Sequence, residues 1–140
     1  MRKRSGFTLM EMILVVVIIG LLAALVLPRV VGWGKKARVV ATSAQIASFK
    51  TALGGFERAC GRFPTTGEGL LALVSRPPGL PSDAEWERFL DESTVPKDAW
   101  AREFIYRCPG SINTDGYDLL SAGYDGQEGT DDDIGNSIRR

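Results

Sequence analysis

Near its C-terminal end the chain gathers five carboxylates into nine residues: Asp125, Glu128, Asp131, Asp132 and Asp133. They lie within Ser121-Ala122-Gly123-Tyr124-Asp125-Gly126-Gln127-Glu128-Gly129-Thr130-Asp131-Asp132-Asp133-Ile134-Gly135-Asn136, where interspersed glycines permit tight turns. Like charges this close repel one another. A hard cation such as Ca²⁺ relieves the repulsion by taking six to eight oxygen ligands from a flexible loop. Mg²⁺ suits such a loop less well because its geometry is stricter, and Zn²⁺ lacks His or paired Cys ligands here. The spacing is not that of an EF-hand, since Asp125-Gly126-Gln127 breaks the alternating acidic series. On composition alone a solvated acidic tail accounts for the stretch equally well. Another carboxylate, Glu11, stands near the start of an apolar run that continues from Met12 to Leu27 without a charge. An ionisable group in such a setting is costly unless paired, which makes Glu11 a candidate functional residue.

Histidine is absent from the 140 residues. That removes the usual general base, the Ser-His and Cys-His nucleophile pairs and the commonest transition-metal ligand. Charge is balanced at 17 basic and 17 acidic residues, but removing Arg2, Lys3 and Arg4 with the first six residues leaves 14 against 17. No basic face with interleaved aromatics is present, so no nucleic-acid partner is expected.

The elements that must position these groups begin with the N-terminal run. Phe7 to Leu27 is 21 residues, about 32 Å as a helix and enough to cross a bilayer core. The basic residues before it place the N-terminus in the cytoplasm and send the remainder outward. An ordinary secretory signal would require a small-residue cleavage site after the run, where Leu27-Pro28-Arg29 stands instead. A plain transmembrane anchor fits, but leaves Glu11 unexplained.

Beyond Pro28 the pattern turns amphipathic. Val39, Ile46, Leu53 and Cys60 recur every seven residues, with Thr42, Phe49 and Phe56 filling the same stripe. With no cap between run and stripe, one helix from about residue 8 to 59 is expected, bending at Pro28 or the Gly32/Gly34 pair. Gly54-Gly55 marks either a close packing contact or an early end. Gly61 suits the helix terminus. A turn and short helix burying Leu70, Leu71, Leu73 and Val74 follow, then the proline-rich connector 76–81. Trp86, Phe89 and Leu90 stand at helical spacing. Two strands, Phe104–Cys108 and Tyr117–Ser121, flank a connection whose Asp115-Gly116 is a tight-turn signal. The fold class is therefore α+β, a long helix packed on a small antiparallel sheet.

The segment Lys3-Arg4-Ser5-Gly6-Phe7-Thr8-Leu9-Met10-Glu11, followed at once by the apolar run, resembles the signal of type IV pilins and pseudopilins. The resemblance implies cleavage by a prepilin peptidase after Gly6 and N-methylation of Phe7. It places the family's fifth-position glutamate on Glu11 and its helix-bending proline on Pro28. Cutting before the run leaves the anchor in place, and Glu11 can then pair with the Phe7 amino group of a neighbouring subunit.

Gly61-Arg62-Phe63-Pro64-Thr65-Thr66 and the Gly69-Leu70 and Ala72-Leu73 pairs after it narrow the resemblance to the major pseudopilins of type II secretion. So does the acidic stretch, which resembles that family's S-L-G-x-D-G-x-x-G-T-E-D-D-I-G-N loop. The family's P-x-D-P-W-G is matched only in part, with Ala99 and Ala101 replacing its proline and glycine.

The resemblance implies a calcium-binding C-terminal loop, with ligands from the side chains of Asp125, Asp132 and Asp133 and the carbonyls of Ala122 and Gln127. It divides the chain into a leader (1–6), a transmembrane and assembly helix (7–30) and a periplasmic head (31–140). It also implies a non-enzymatic filament subunit in the inner membrane, self-assembling with other pseudopilins on an inner-membrane secretion platform. A type IV pilin or minor pseudopilin would share only the N-terminus. A membrane-anchored calcium-dependent hydrolase or lectin is disfavoured by the missing histidine and by the lack of a carboxylate pair outside the loop.

Cys60 and Cys108 have no counterpart in that pattern. A bridge between them would close a loop of about 49 residues and contribute about 3–4 kcal/mol if unstrained. Two unbridged core cysteines satisfy the sequence as well.

Overall fold

The structure, a computed structural model, describes residues 7–136, and within them all side chains except those of 25–33. Gly6, the expected cleavage position, lies outside the described residues. The elements in order are helix α1 (Leu9–Cys60), a 3₁₀ helix (Gly69–Leu73) and strands β1 (Ile105–Arg107), β2 (Asp118–Ser121) and β3 (Ile134–Gly135). The chain forms two compact units, Met1–Lys36 and Ala37–Arg140.

In the first unit Thr8 caps α1, its hydroxyl oxygen accepting the Glu11 N–H (3.3 Å) and its carbonyl the Met12 N–H (3.2 Å). Glu11 falls in the first turn, where a negative charge complements the helix dipole. The apolar side chains that follow are uncovered on every side, Leu9 at 81% and Ile19 at 60% exposure among them. A helix apolar all round is suited to lipid or to other helices rather than to water. Among the described residues no helix is long and apolar enough to cross a membrane. The described side chains of the run stop at residue 24, whereas the run in the sequence reaches Leu27. Helix α1 passes through Pro28, Gly32 and Gly34 without ending, and the side chains around the expected bend are mostly outside those described.

In the second unit the stripe is the core face of α1. Thr42, Ile46, Phe49, Leu53 and Phe56 are buried, while Val39 and Cys60 at its ends are only partly covered. Phe49 meets Phe104 edge-on with centroids 5.0 Å apart, and Phe56 meets Phe89 at 5.6 Å. Gly54 and Gly55 do not end the helix. A Cβ on Gly55 would stand 3.0 Å from the Phe89 ring, so the glycine lets an aromatic side chain lie against the backbone. Gly61 closes α1 at φ 73°, its N–H reaching the Glu57 carbonyl at 2.7 Å.

The short helix is 3₁₀, and this changes which side chains it buries. With three residues per turn Leu70 and Leu73 share a face. Both are buried together with Ala72 and Val74, but Leu71 is 60% exposed, contrary to expectation. Residues 82–95 form no helix either. The Trp86 indole N–H donates to the Ala72 carbonyl (2.9 Å) and the Phe89 N–H to Leu73 (2.9 Å). These bonds fasten an irregular segment over the 3₁₀ turn.

The sheet is antiparallel in the order β1-β2-β3, with Tyr106 opposite Leu119 and Leu120 opposite Gly135. The central strand β2 is buried at each of its four residues. Its first residue, Asp118, accepts the N–H groups of Ser111, Ile112 and Asn113 and so organises the connection from β1.

Arg62 and Glu68 brace the turn between helix and sheet. The guanidinium grips the carboxylate at 2.7 and 2.8 Å, and Glu68 and Thr65 exchange N–H bonds in the manner of a capping box. Arg62 is the main cause that brings the Glu68 carboxyl down to about 2 from an ordinary 4.5. A lowered folded-state value means that this stabilisation is complete above about pH 4.5 and drains away as the pH falls toward 2. Glu68→Gln should therefore flatten the acid limb of stability in that window while leaving its neutral side parallel to wild type. An unchanged acid limb in urea titrations at several pH values would contradict the assignment.

Candidate metal-binding loop

The loop is positioned by a buried turn that precedes β1. Asp98 is 5% exposed. Its Oδ1 accepts the N–H groups of Trp100 (2.9 Å) and Arg102 (2.8 Å), and its Oδ2 accepts the Ser121 hydroxyl (2.6 Å). One carboxylate thus ties the 98–102 turn to the end of β2. Helix α1 holds the same turn from behind: the Ala99 N–H donates to Thr42 Oγ1 (3.3 Å), and the Gln45 amide donates to the Lys97 carbonyl (2.9 Å). This is why a polar Thr42 occupies a fully buried stripe position. Ala101, standing where the resembled motif has glycine, adopts a left-handed φ of 63°.

From Ser121 the chain leaves β2 as the acidic loop and returns as β3. Gly123, at φ 57°, lies so close to the returning arm that a Cβ would stand 2.2 Å from the Asp132 carbonyl oxygen. Asp132 ties the two arms together: its Oδ2 accepts the N–H groups of Tyr124 (2.6 Å) and Asp125 (3.1 Å). The Thr130 hydroxyl stands 2.7 Å from Asp132 Oδ1 and 3.1 Å from the Gln127 carbonyl. Its bond to Asp132, together with those two N–H groups, holds the Asp132 carboxyl below the usual range.

Asp125 Oδ1 accepts the Gln127 N–H (2.8 Å), and Asp133 Oδ2 accepts that of Gly129 (2.7 Å). The other Asp133 oxygen, Oδ1, is buried without a partner. Glu128 is drawn outward by Arg107 through two contacts of 2.5 and 2.6 Å, on a surface where such a pair contributes little. Asn136 closes the loop by exchanging backbone and amide bonds with Leu119 and Tyr117.

The expected donors are thus all in one loop: the carboxylates of Asp125, Asp132 and Asp133 and the carbonyls of Ala122 and Gln127. They are oxygen throughout, as a hard cation requires. Among the described residues no three acidic or thiol side chains converge as a metal site. One oxygen of each of Asp125, Asp132 and Asp133 turns to the loop's own N–H groups, and Asp133 Oδ1 is left buried without a partner. Sequence reasoning missed Asp98, Arg102, Ser121 and Asn136. Asp98 lay within the partial P-x-D-x-W match, and a buried carboxylate there was the available signal.

Cys60 and Cys108 are free thiols, so the bridge that the sequence allowed is not formed in this structure. Each packs against the core from its own element. Burial raises the Cys60 thiol above its usual value. Cys108 is fixed at the end of β1 by bonds with Thr66, whose hydroxyl accepts its N–H (2.9 Å) and meets its carbonyl (3.1 Å).

Residues 29–137 match the family described as type II secretion system (T2SS), protein G, and residues 1–27 match the prokaryotic N-terminal methylation motif. The chain is 39% identical to the type II secretion system core protein G of Pseudomonas aeruginosa, over 96% of each chain. It is 38% identical to the core protein G of Aeromonas hydrophila, over 96% of this chain and 93% of that one. Its structure is similar to the crystal structure of the major pseudopilin from the type 2 secretion system of enterohaemorrhagic Escherichia coli. That match has a TM-score of 0.62 at 30% identity and covers 76% of this chain and 91% of the other.

The left-handed Ala101 makes the site-positioning turn improvable. An L-residue with a Cβ pays about 1 kcal/mol or more in that region. Ala101→Gly should therefore raise stability by about 0.5 kcal/mol, once the entropy that glycine adds to the unfolded chain is set against the relieved strain. Equilibrium unfolding in urea checks this, and equal or lower stability would mean that the turn carries no such strain.

Proposed function

Since the chain belongs to the protein G family of the type II secretion system, we propose that its N-terminal helix anchors and bundles the subunit while calcium fastens the C-terminal loop of its head. The chain is a major pseudopilin, the principal structural subunit of the type II secretion pseudopilus. The observation that carries this is the match to protein G over residues 29–137, which take in almost all of the head. An N-terminal motif alone would equally suit a type IV pilin or a minor pseudopilin.

The membrane step rests on the 21-residue apolar run and on the uncovered side chains of its described part. In this reading a prepilin peptidase cuts after Gly6 and Phe7 becomes the methylated N-terminus. The subunit then waits in the inner membrane with its head in the periplasm. Assembly with further copies and other pseudopilins on the inner-membrane platform bundles the helices. Glu11 then meets the Phe7 amino group of a neighbour, offsetting the burial of both charges. Growth of the filament moves folded proteins toward the outer membrane.

In the head, Asp125, Asp132 and Asp133 with the Ala122 and Gln127 carbonyls would hold Ca²⁺. The ion supplies no reaction there. It neutralises clustered carboxylates and gives the buried Asp133 oxygen a partner.

Deleting the gene should leave exported proteins in the periplasm, and the wild-type gene should restore their secretion. Mass spectrometry of the restored strain should find mature chains that begin at N-methylated Phe7. Normal secretion by the deletion strain, or chains that all retain Met1, would contradict the respective half of the reading.

Calcium at a hundredfold excess over its Kd should stabilise the detergent-solubilised chain by about 2.7 kcal/mol relative to chelator. Asp133→Asn, which keeps a side-chain oxygen but loses the charge, should lose most of that response. Equal melting of wild type with calcium and with chelator would remove the metal from the proposal.

A further inference from the structure

A second positive charge already reaches the loop from the protein itself. Arg102 extends from the Asp98 turn and donates from Nη1 to the Gly123 carbonyl (2.6 Å) and from Nη1 and Nη2 to the Tyr124 carbonyl (3.2 Å each). Its guanidinium lies directly against Gly126, where a Cβ would stand 2.6 Å from Cζ. Gly126 takes φ 74° and donates its N–H back to the Ala122 carbonyl (3.0 Å). Successive carbonyls folded around one cation are what a hard metal ion asks of a loop, and here a planar, permanently charged fork takes two of them.

The position of Arg102 is itself fixed. Its N–H donates to Asp98 Oδ1 and its carbonyl accepts the Asp98 N–H (2.8 Å). The carbonyls it holds, 123 and 124, are not those of the expected calcium ligands, 122 and 127. Guanidinium and metal therefore do not contend for the same oxygens.

We propose that Arg102 is a built-in cation of the acidic loop, a positioning residue that orders residues 122–126 without a metal and leaves the ion to secure the returning arm. The division of labour with the ion rests on the calcium reading above. The ordering by Arg102 does not.

Hydrogen–deuterium exchange of the detergent-solubilised full chain, in chelator and in calcium, separates the two. In wild type the amides of 124–126 should be equally protected in both conditions. Arg102→Met keeps the apolar stem and removes the charge, and it should lose at least tenfold of that protection in chelator, with β1 and β2 unchanged. Calcium should restore most of it, a response that a simple loss of packing would not show. Wild-type protection of 124–126 in chelator by Arg102→Met overturns the proposal. Protection lost equally in both conditions, when calcium does stabilise the wild-type chain, is a loss of packing and overturns the proposal. When calcium leaves wild type unchanged as well, the loss upholds the clamp and counts against the calcium reading. Should Arg102→Met unfold, Arg102→Gln carries the same comparison, and undiminished loop protection in that variant likewise overturns it.

Discussion

The head depends on the way one buried carboxylate spends its lone pairs. Asp98 takes two backbone N–H groups of its own turn with one oxygen and the Ser121 hydroxyl with the other. Burying a charge is tolerable only when it is bonded this fully. Fixing these partners joins the turn after the irregular segment, the strand at the centre of the sheet and the start of the acidic loop. Thr42 and Gln45 add helix α1 to the same junction. Removing the Asp98 carboxylate would leave the loop attached to β2 and β3, and to the helix side of the head through Arg102.

What could be read from the sequence followed the strength of periodicity. The stripe from Thr42 to Phe56 announced a helix face because seven-residue recurrence over several turns has no other simple explanation. The two longer strands were legible from their apolar runs and the turn between them. The short helix was expected to bury Leu71 beside Leu70, and its 3₁₀ winding leaves Leu71 exposed instead. The difference between 3.0 and 3.6 residues per turn cannot be seen in five residues. Strand β3 is two residues long and is defined by its bonds to β2, which no local pattern announces. Trp86 and Phe89 stood at helical spacing, yet they are held by single bonds to a neighbouring turn rather than by a helix.

The loop divides in the same way. Its carboxylates were evident by composition, and the resemblance gave them roles. The groups that shape them lie elsewhere in the chain: Arg102 reaches carbonyls 21 and 22 residues away, and Asp98 reaches Ser121 over 23. Such long-range contacts are set by topology, so a single sequence conceals them. Resemblance drew attention to the alanines at 99 and 101 as departures, and the structure gives one of them a cost, since Ala101 sits where a glycine would be unstrained.

The Thr8 cap bears on how a precursor becomes a subunit. Among the described residues the first hydrogen bonds of α1 are those that Thr8 accepts, downstream of the Gly6–Phe7 peptide bond. On the proposed reading, a cut after Gly6 leaves this cap, and the helix it opens, within the mature chain. A subunit entering assembly on that reading carries the start of its own helix with it, set by the Thr8 hydroxyl and carbonyl.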